Sequence, residues 1–370
     1  MIRKLLVGFF VLSFVFQLNS IDTRLLDRRY NEVAFLMTHN ATSLRPETSP
    51  IKEILFKIVN AVPSWLGREQ LMNAIKTVTL LDPNLAADQA RDIERQLSDG
   101  IRAFKLPVQL GDTDIATSEL YACHSLSVGQ VQGLINEVDA VFKKFIPIAF
   151  IRKALLKPLY VIKDNPCLLD STHVLLAAVF LKINTWLERH PDEIISIYFD
   201  VAVVDKIAAK NTLKNILEKS GLWQKVYQYT PGSAWPTLRT LISSGKRLVL
   251  ISDCSQWSTL GIANKYDIGF GSSYEYKTLD ALYADTAEPK IAWGTAGKNR
   301  IFILDNYTTP LASRRLIDAE KANSATHIMM RVKNYEKVTG YPVTFVMVDF
   351  YDVPQEQALR GIETINNQRA

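Results

Sequence analysis

Two of the chain's five histidines sit where a strand-like run gives way to small polar residues, in Thr38-His39-Asn40 and Cys123-His124-Ser125. Imidazole titrates near neutrality, so two such rings suit general acid-base chemistry, one taking a proton while the other gives one. Either ring taken alone reads equally well as a hydrogen-bonded structural residue. His173, His190 and His327 fall within or at the end of helix-like segments and read as surface or packing residues. Asp200, Asp253 and Asp349 each follow an apolar run. One of them is expected to orient His39 through a carboxylate-imidazole bond, although an aspartate so placed also serves as a helix cap or loop residue. The three cysteines, Cys123, Cys167 and Cys254, have no zinc spacing and suggest one disulfide and one leftover thiol.

Residues of this kind need rigid elements behind them. Val33–Thr38, Ile101–Val108, Ile194–Phe199, Arg247–Ser252, Ile301–Leu304 and Val343–Val348 are short and rich in β-branched or aromatic residues, as in strands buried on both faces of a parallel sheet. Amphipathic stretches between them, such as Val174–Arg189, Ala209–Lys219 and Gln355–Asn367, suit crossover helices. A barrel and an open doubly wound sheet both fit this alternation. No strand leads into a G-x-G-x-x-G or Walker-type loop, which favours the barrel. The expected fold is therefore α/β, a TIM-type (β/α) barrel, regular or distorted, spanning residues 21–370. Two long helical stretches, about 44–81 and 126–163, are expected as βα insertions over its mouth.

The first twenty residues stand apart, with Arg3 and Lys4 ahead of an apolar run from Leu5 to Phe16. That pattern predicts a signal peptide over residues 1–20 and a secreted protein, extracellular or periplasmic. Without those residues 41 basic side chains face 38 acidic ones, a balance too mild to imply nucleic acid. No later stretch has the length and apolarity of a membrane span. Sequons occur at Asn40 and Asn306, and the first is expected to be silent because a glycan there would block the histidine site.

Five blocks in order resemble one family. Tyr30 to Asn40, Gln96 to Phe104 and Leu120 to Ser125 are similar to successive motifs of the X-type catalytic domain of phosphatidylinositol-specific phospholipases C. Trp186 to Ile195 resembles that family's helix-to-strand passage, and Trp235-Pro236-Thr237-Leu238 with Gly245 to Val249 resembles another. The resemblance is to the secreted single-domain branch. It implies that His39 takes the proton of an inositol 2-hydroxyl while His124 protonates the departing diacylglycerol oxygen, giving a cyclic phosphate. It also implies a Cys123–Cys167 disulfide.

The chain departs from the family where the family holds phosphoryl oxygens, in G-x-R-x-x-[DE]-x-[DR]. Gly100-Ile101-Arg102-Ala103-Phe104-Lys105-Leu106-Pro107 keeps Arg102 but puts Lys105 and Pro107 at the two special positions. Asn40 and Asp200 match two metal ligands of the family, and alone they make a thin calcium shell. Lys105 then reads as a metal-free phosphate clamp, or else as the mark of a decayed site that binds a ligand without turning it over. Arg102 reads as a phosphate contact or as a buried ion pair. Asn40, Asp200 and Asp349 are expected at the substrate, with Asp200 the first choice of the three aspartates for the site because it carries the family match. The expected protein is a monomeric phosphodiesterase on a phosphoinositide or related phosphodiester, without a cofactor, and able to touch a membrane surface. Sister barrels that cleave glycerophosphodiesters need carboxylates clustered around a metal, and no such cluster is visible near His39 or His124.

Overall fold

In the computed structural model the described residues are 21–44, 50–75, 87–110, 119–123, 128–147, 149–164, 174–202, 206–309 and 315–370. Strands β1 (Phe35–Thr38), β2 (Ala103–Leu110), β3 (Leu120–Ala122), β4 (Val174–Leu175), β5 (Ile195–Val201) and β6 (Val226–Tyr227) come first. They are followed by β7 (Leu248–Ser252), β8 (Ala263–Asn264), β9 (Gly269–Gly271), β10 (Trp293–Gly294), β11 (Ile301–Asp305) and β12 (Phe345–Val348). Their order, β10-β9-β11-β12-β1-β2-β5-β7-β6, is parallel except where β10 meets β9. β8 also pairs with β7, and β3 folds back antiparallel on β2 with β4 beside it. The six strands expected from the sequence all form. Helices at Leu176–Arg189 and Lys206–Lys219 form crossovers as expected, whereas the helix at Gln357–Arg369 forms but follows the last strand and so connects no pair of strands.

The side-chain period of two sorts each central strand between two cores. Leu36, Phe104, Ile197, Phe199, Leu250, Phe302, Leu304 and Val346 pack outward under the helices. Met37, Ala103, Tyr198, Ile251, Ile303 and Met347 fill the inside of the curled sheet, with Tyr30 and Trp235 packed at its base. β9 closes up to β10 because it carries no side chain at two positions. A Cβ on Gly269 or Gly271 would collide with the Trp293 ring and with a backbone carbonyl.

The helices Pro50–Asn60, Arg68–Ile75, Val128–Phe145 and Ala149–Asp164 come from the two inserted stretches and pack on one another. They share a core of their own, including Leu55, Val59, Leu71, Val138, Phe142, Ile146 and Leu159. Among the described residues no helix is long and apolar enough to cross a membrane.

Candidate active site

Each inward strand ends its apolar stretch with a polar residue two positions on, and the period of two aims that residue at the mouth. Met37 is followed by His39, Ala103 by Lys105, Tyr198 by Asp200 and Ile251 by Asp253; Ala263 is followed by Lys265, Ile303 by Asp305 and Met347 by Asp349. These seven residues line the carboxyl end of the sheet, where barrels carry their chemistry.

His39 is held from three sides. Its Nδ1 lies 2.8 Å from Asp349 Oδ1, and its ring stacks on Tyr307 at 4.0 Å. Its backbone N–H donates to Val348 O at 2.9 Å. The two strand ends that deliver this pair are both strained. Asn40, just after His39, has φ 44°, and Phe350, just after Asp349, has φ 43°, in a region that non-glycine residues rarely enter. Three buried side chains brace the bends. Gln89 Nε2 donates to the carbonyls of His39 and Val348 at 2.8 and 3.1 Å, Asn323 Nδ2 to those of Asp349 and Phe350 at 2.8 and 3.1 Å, and Asn40 Nδ2 to Asp88 Oδ2 at 2.6 Å.

Of the three aspartates from which one was expected to orient His39, it is Asp349 that does so, because β12 lies directly beside β1. Asp200 instead pairs with Lys105, Oδ2 to Nζ 2.8 Å. The Lys105 ammonium is therefore not a lone charge. Burial alone would push its pKa down, yet Asp200, Asp305 and Asp88 outweigh burial and raise it. On β11 burial lifts Asp305 to about 6, against the pull of Lys265 and Lys105. Asp253 is raised too, by burial and then by the adjacent Asp200 carboxylate.

Arg102 does not reach this site. It precedes β2, at the opposite end of the strand from the mouth, and its guanidinium takes both oxygens of Glu193 at 2.8 and 3.1 Å while lying 4.4 Å from the Trp186 ring centre. Asn40 and Asp200 do not fit a calcium shell, since the Lys105 ammonium already occupies Asp200. A different group comes together: His39, Asp88 and Asp349 present ligand atoms all within 4.8 Å of one another. The absence of an acidic cluster near His39, read from the sequence, is thereby corrected. Asp88 reaches the site through the chain between β1 and β2, where no sequence signal marked it. Asp305 follows an apolar strand just as Asp200, Asp253 and Asp349 do, and the same rule would have found it. Lys265 follows a two-residue strand and had no such signal.

His124 and Cys167 lie outside the described residues. Cys254 is a buried free thiol. Asn306, like Asn40, is 1% exposed, so in the folded chain both sequons are closed to a glycan.

The model of the PI-PLC X domain matches residues 162–364. The chain belongs to this phosphatidylinositol-specific phospholipase C X-domain family. The matched region contains Asp200, Asp253, Lys265, Asp305 and Asp349 but begins after His39, Lys105 and His124. In fold the chain is similar to the phosphatidylinositol-specific phospholipase C of Listeria monocytogenes, with a TM-score of 0.54 at 14% identity over 92% of this chain and 94% of that one. It is also similar to a mutant of the Staphylococcus aureus phosphatidylinositol-specific phospholipase C, with a TM-score of 0.50 at 12% identity over 92% and 94%. Identities this low speak for the TIM-barrel fold alone. No curated protein matches the chain in sequence.

Proposed function

We propose that this X-domain chain is a phosphodiesterase of the phospholipase C type, acting on an inositol phospholipid or a related phosphodiester. The observation that carries the reading is the His39–Asp349 bond at the barrel mouth. A carboxylate on Nδ1 takes that nitrogen's N–H and leaves the Nε2 lone pair as a base. His39 then removes the proton of a ring hydroxyl as its oxygen bonds to phosphorus. The bond from phosphorus to the diacylglycerol oxygen breaks, and that oxygen takes its proton from His124, leaving a cyclic phosphate. Lys105 supplies positive charge to the phosphoryl oxygens without a metal, and Asn40 and Asp200 shape the pocket around it.

The reading extends to the rest of the chain. Residues 1–20 direct secretion, and Cys123 pairs with Cys167, a choice supported by the free Cys254. The protein works as a monomer at a lipid surface through its inserted helices. Phe142 and Ile146 are buried in the insertion core and cannot serve there. Trp65, 79% exposed, and the exposed Lys143, Lys144 and Lys153 support such contact.

Labelled inositol phospholipid, offered with and without chelator, tests the proposal. Release of a cyclic phosphate should be unaffected by chelator and should fall about 10²- to 10⁴-fold in His39→Ala. Loss of activity on chelation would replace the Lys105 clamp with a cation at His39, Asp88 and Asp349. Head-group binding without turnover would leave a ligand-binding barrel.

A further inference from the structure

The connection from Asp349 to the helix Gln357–Arg369 is held in a shape it would not adopt alone. Phe350, Gln355 and Glu356 have φ of 43°, 44° and 61°, in the left-handed region that side chains disfavour. Backbone of that kind persists only where its surroundings over-determine it. The start of the connection is fixed by Asn323 and by the Asp88 carbonyl, which accepts from the Phe350 N–H at 2.7 Å. Further along, a guanidinium gathers it in. Arg91 Nε pairs with Asp352 Oδ2 at 3.2 Å, and its Nη1 donates to Glu356 Oε1 at 3.1 Å and also to Asp99 Oδ2.

Asp99 links that guanidinium to the strand that carries His39. It is buried and forms the C-terminal cap of the helix Ile93–Ser98. The oxygen that takes Arg91 also accepts the Tyr351 hydroxyl at 2.8 Å, and the other lies 3.0 Å from Arg95 Nε. Three residues before Asp99, the buried Gln96 accepts from the Thr38 hydroxyl at 2.8 Å and donates to the carbonyls of Ala41 and Arg91 at 2.8 and 2.6 Å. Thr38 comes just before His39 and Ala41 two residues after it. The short helix is thus fastened to the chain on both sides of His39, and Arg91 fastens the connection after Asp349 to the same helix.

We propose that Arg91 is a positioning residue for the His39–Asp349 pair: by tying Asp352 and Glu356 to Asp99 it sets where the Asp349 carboxylate meets Nδ1 of His39. This deepens the reading of the site as a phosphodiesterase centre and rests on it for the use made of His39. Without the guanidinium the like charges of Asp99, Asp352 and Glu356 repel one another, and the strained backbone relaxes and carries Asp349 with it. His39 then loses the acceptor that selects its tautomer.

The protonation pattern of the His39 ring tests the proposal without calling on turnover. Long-range proton–nitrogen NMR, read through the ring C–H protons at a pH where the imidazole is neutral, should place the proton on Nδ1 in the unaltered protein. In Arg91→Met the two nitrogen signals should move towards the mixture of tautomers of a free imidazole. With labelled inositol phospholipid, kcat should fall about 10- to 100-fold while KM stays within a few-fold, as for a catalytic group displaced from a distance. Asp352→Ala leaves Arg91 paired with the buried Asp99 and releases only the connection, so it gives an answer whether or not Arg91→Met folds. It should move the same signals, and the two substitutions together should do no more than Arg91→Met alone, because both cut one tie. Unmoved His39 nitrogens in Asp352→Ala or in folded Arg91→Met, additive effects of the two, or a proton on Nε2 of the unaltered protein overturns the proposal. Signals that move as expected in a protein that cleaves no phosphodiester would instead refute the phosphodiesterase reading and leave this one standing.

Discussion

Lys105 joins the departure from the family motif to the electrostatics of the mouth. Its ammonium serves two masters in principle: the carboxylates that already surround it, with Asp200 at 2.8 Å and Asp305 and Asp88 adding to the field, and the phosphoryl oxygens of a substrate. The two roles separate in a double-mutant cycle. If Lys105 stabilises the transition state, Lys105→Met should cost about 10²- to 10³-fold in kcat, as for other preorganised charge donors, and adding Asp200→Asn should restore little of it. If Lys105 only neutralises Asp200, the double variant should recover most of the parental rate. Steady-state kinetics on the two single variants and the double variant decide between them. Lys105 itself was legible as the residue in a family carboxylate position, but its partner was not. Pro107, not Lys105, is the β2 residue in register with Asp200, so only the reach of the lysine side chain brings the charges together.

β2 shows how one element carries two unrelated basic residues. Arg102 precedes its first residue and belongs to the base of the fold, bound to Glu193 and to the Leu97 and Ile101 carbonyls at 2.8 and 2.9 Å, whereas Lys105 lies further along and belongs to the mouth. Arg102→Met should therefore act on stability. Removing one partner of a buried ion pair costs about 3 kcal/mol or more, so urea melts should shift markedly while kcat at a temperature where the variant is folded stays within about twofold of the parent. A large fall in kcat with an unchanged melt would return Arg102 to the substrate. The six long strands were legible because near-continuous apolar runs have few other homes in a soluble fold. Among the short strands β3 alone was signalled, by the strand-like run before Cys123-His124; β4, β6, β8, β9 and β10 were not, since two or three residues cannot display a period, and β9 is mostly glycine. That blind spot hid Lys265, whereas Asp305 ended a legible strand and needed only the rule already applied to its three counterparts.

At the scale of the whole molecule, two buried groups pull stability in opposite directions as the pH changes. Burial lifts the Asp305 carboxyl from an ordinary 3.8 to about 6. The folded chain thus holds that proton more tightly than the unfolded chain, and the group's contribution to stability declines as pH rises from about 4 through 6. His327 is the reverse case. The residue is 5% exposed, its ring packs against Tyr283 and finds no hydrogen-bond partner for Nε2 among the described residues, and burial together with the Arg331 charge depresses its pKa from 6.5 to about 4. The unfolded chain then takes up the proton first, so stability is full above about 6.5 and is lost as pH falls towards 4. Across this window the two slopes partly cancel, and the parent should show a flatter acid profile than either group alone would give. Subtracting parent from variant isolates the histidine. His327→Phe should gain on the parent by on the order of 2 kcal/mol between pH 7 and pH 4, a figure reduced from the full shift for solvent screening, whatever constant offset the new ring introduces. Urea denaturation of both proteins at pH 7, 5.5 and 4 measures the difference. Parallel profiles would show that the His327 ring reaches solvent and titrates as it does in the unfolded chain.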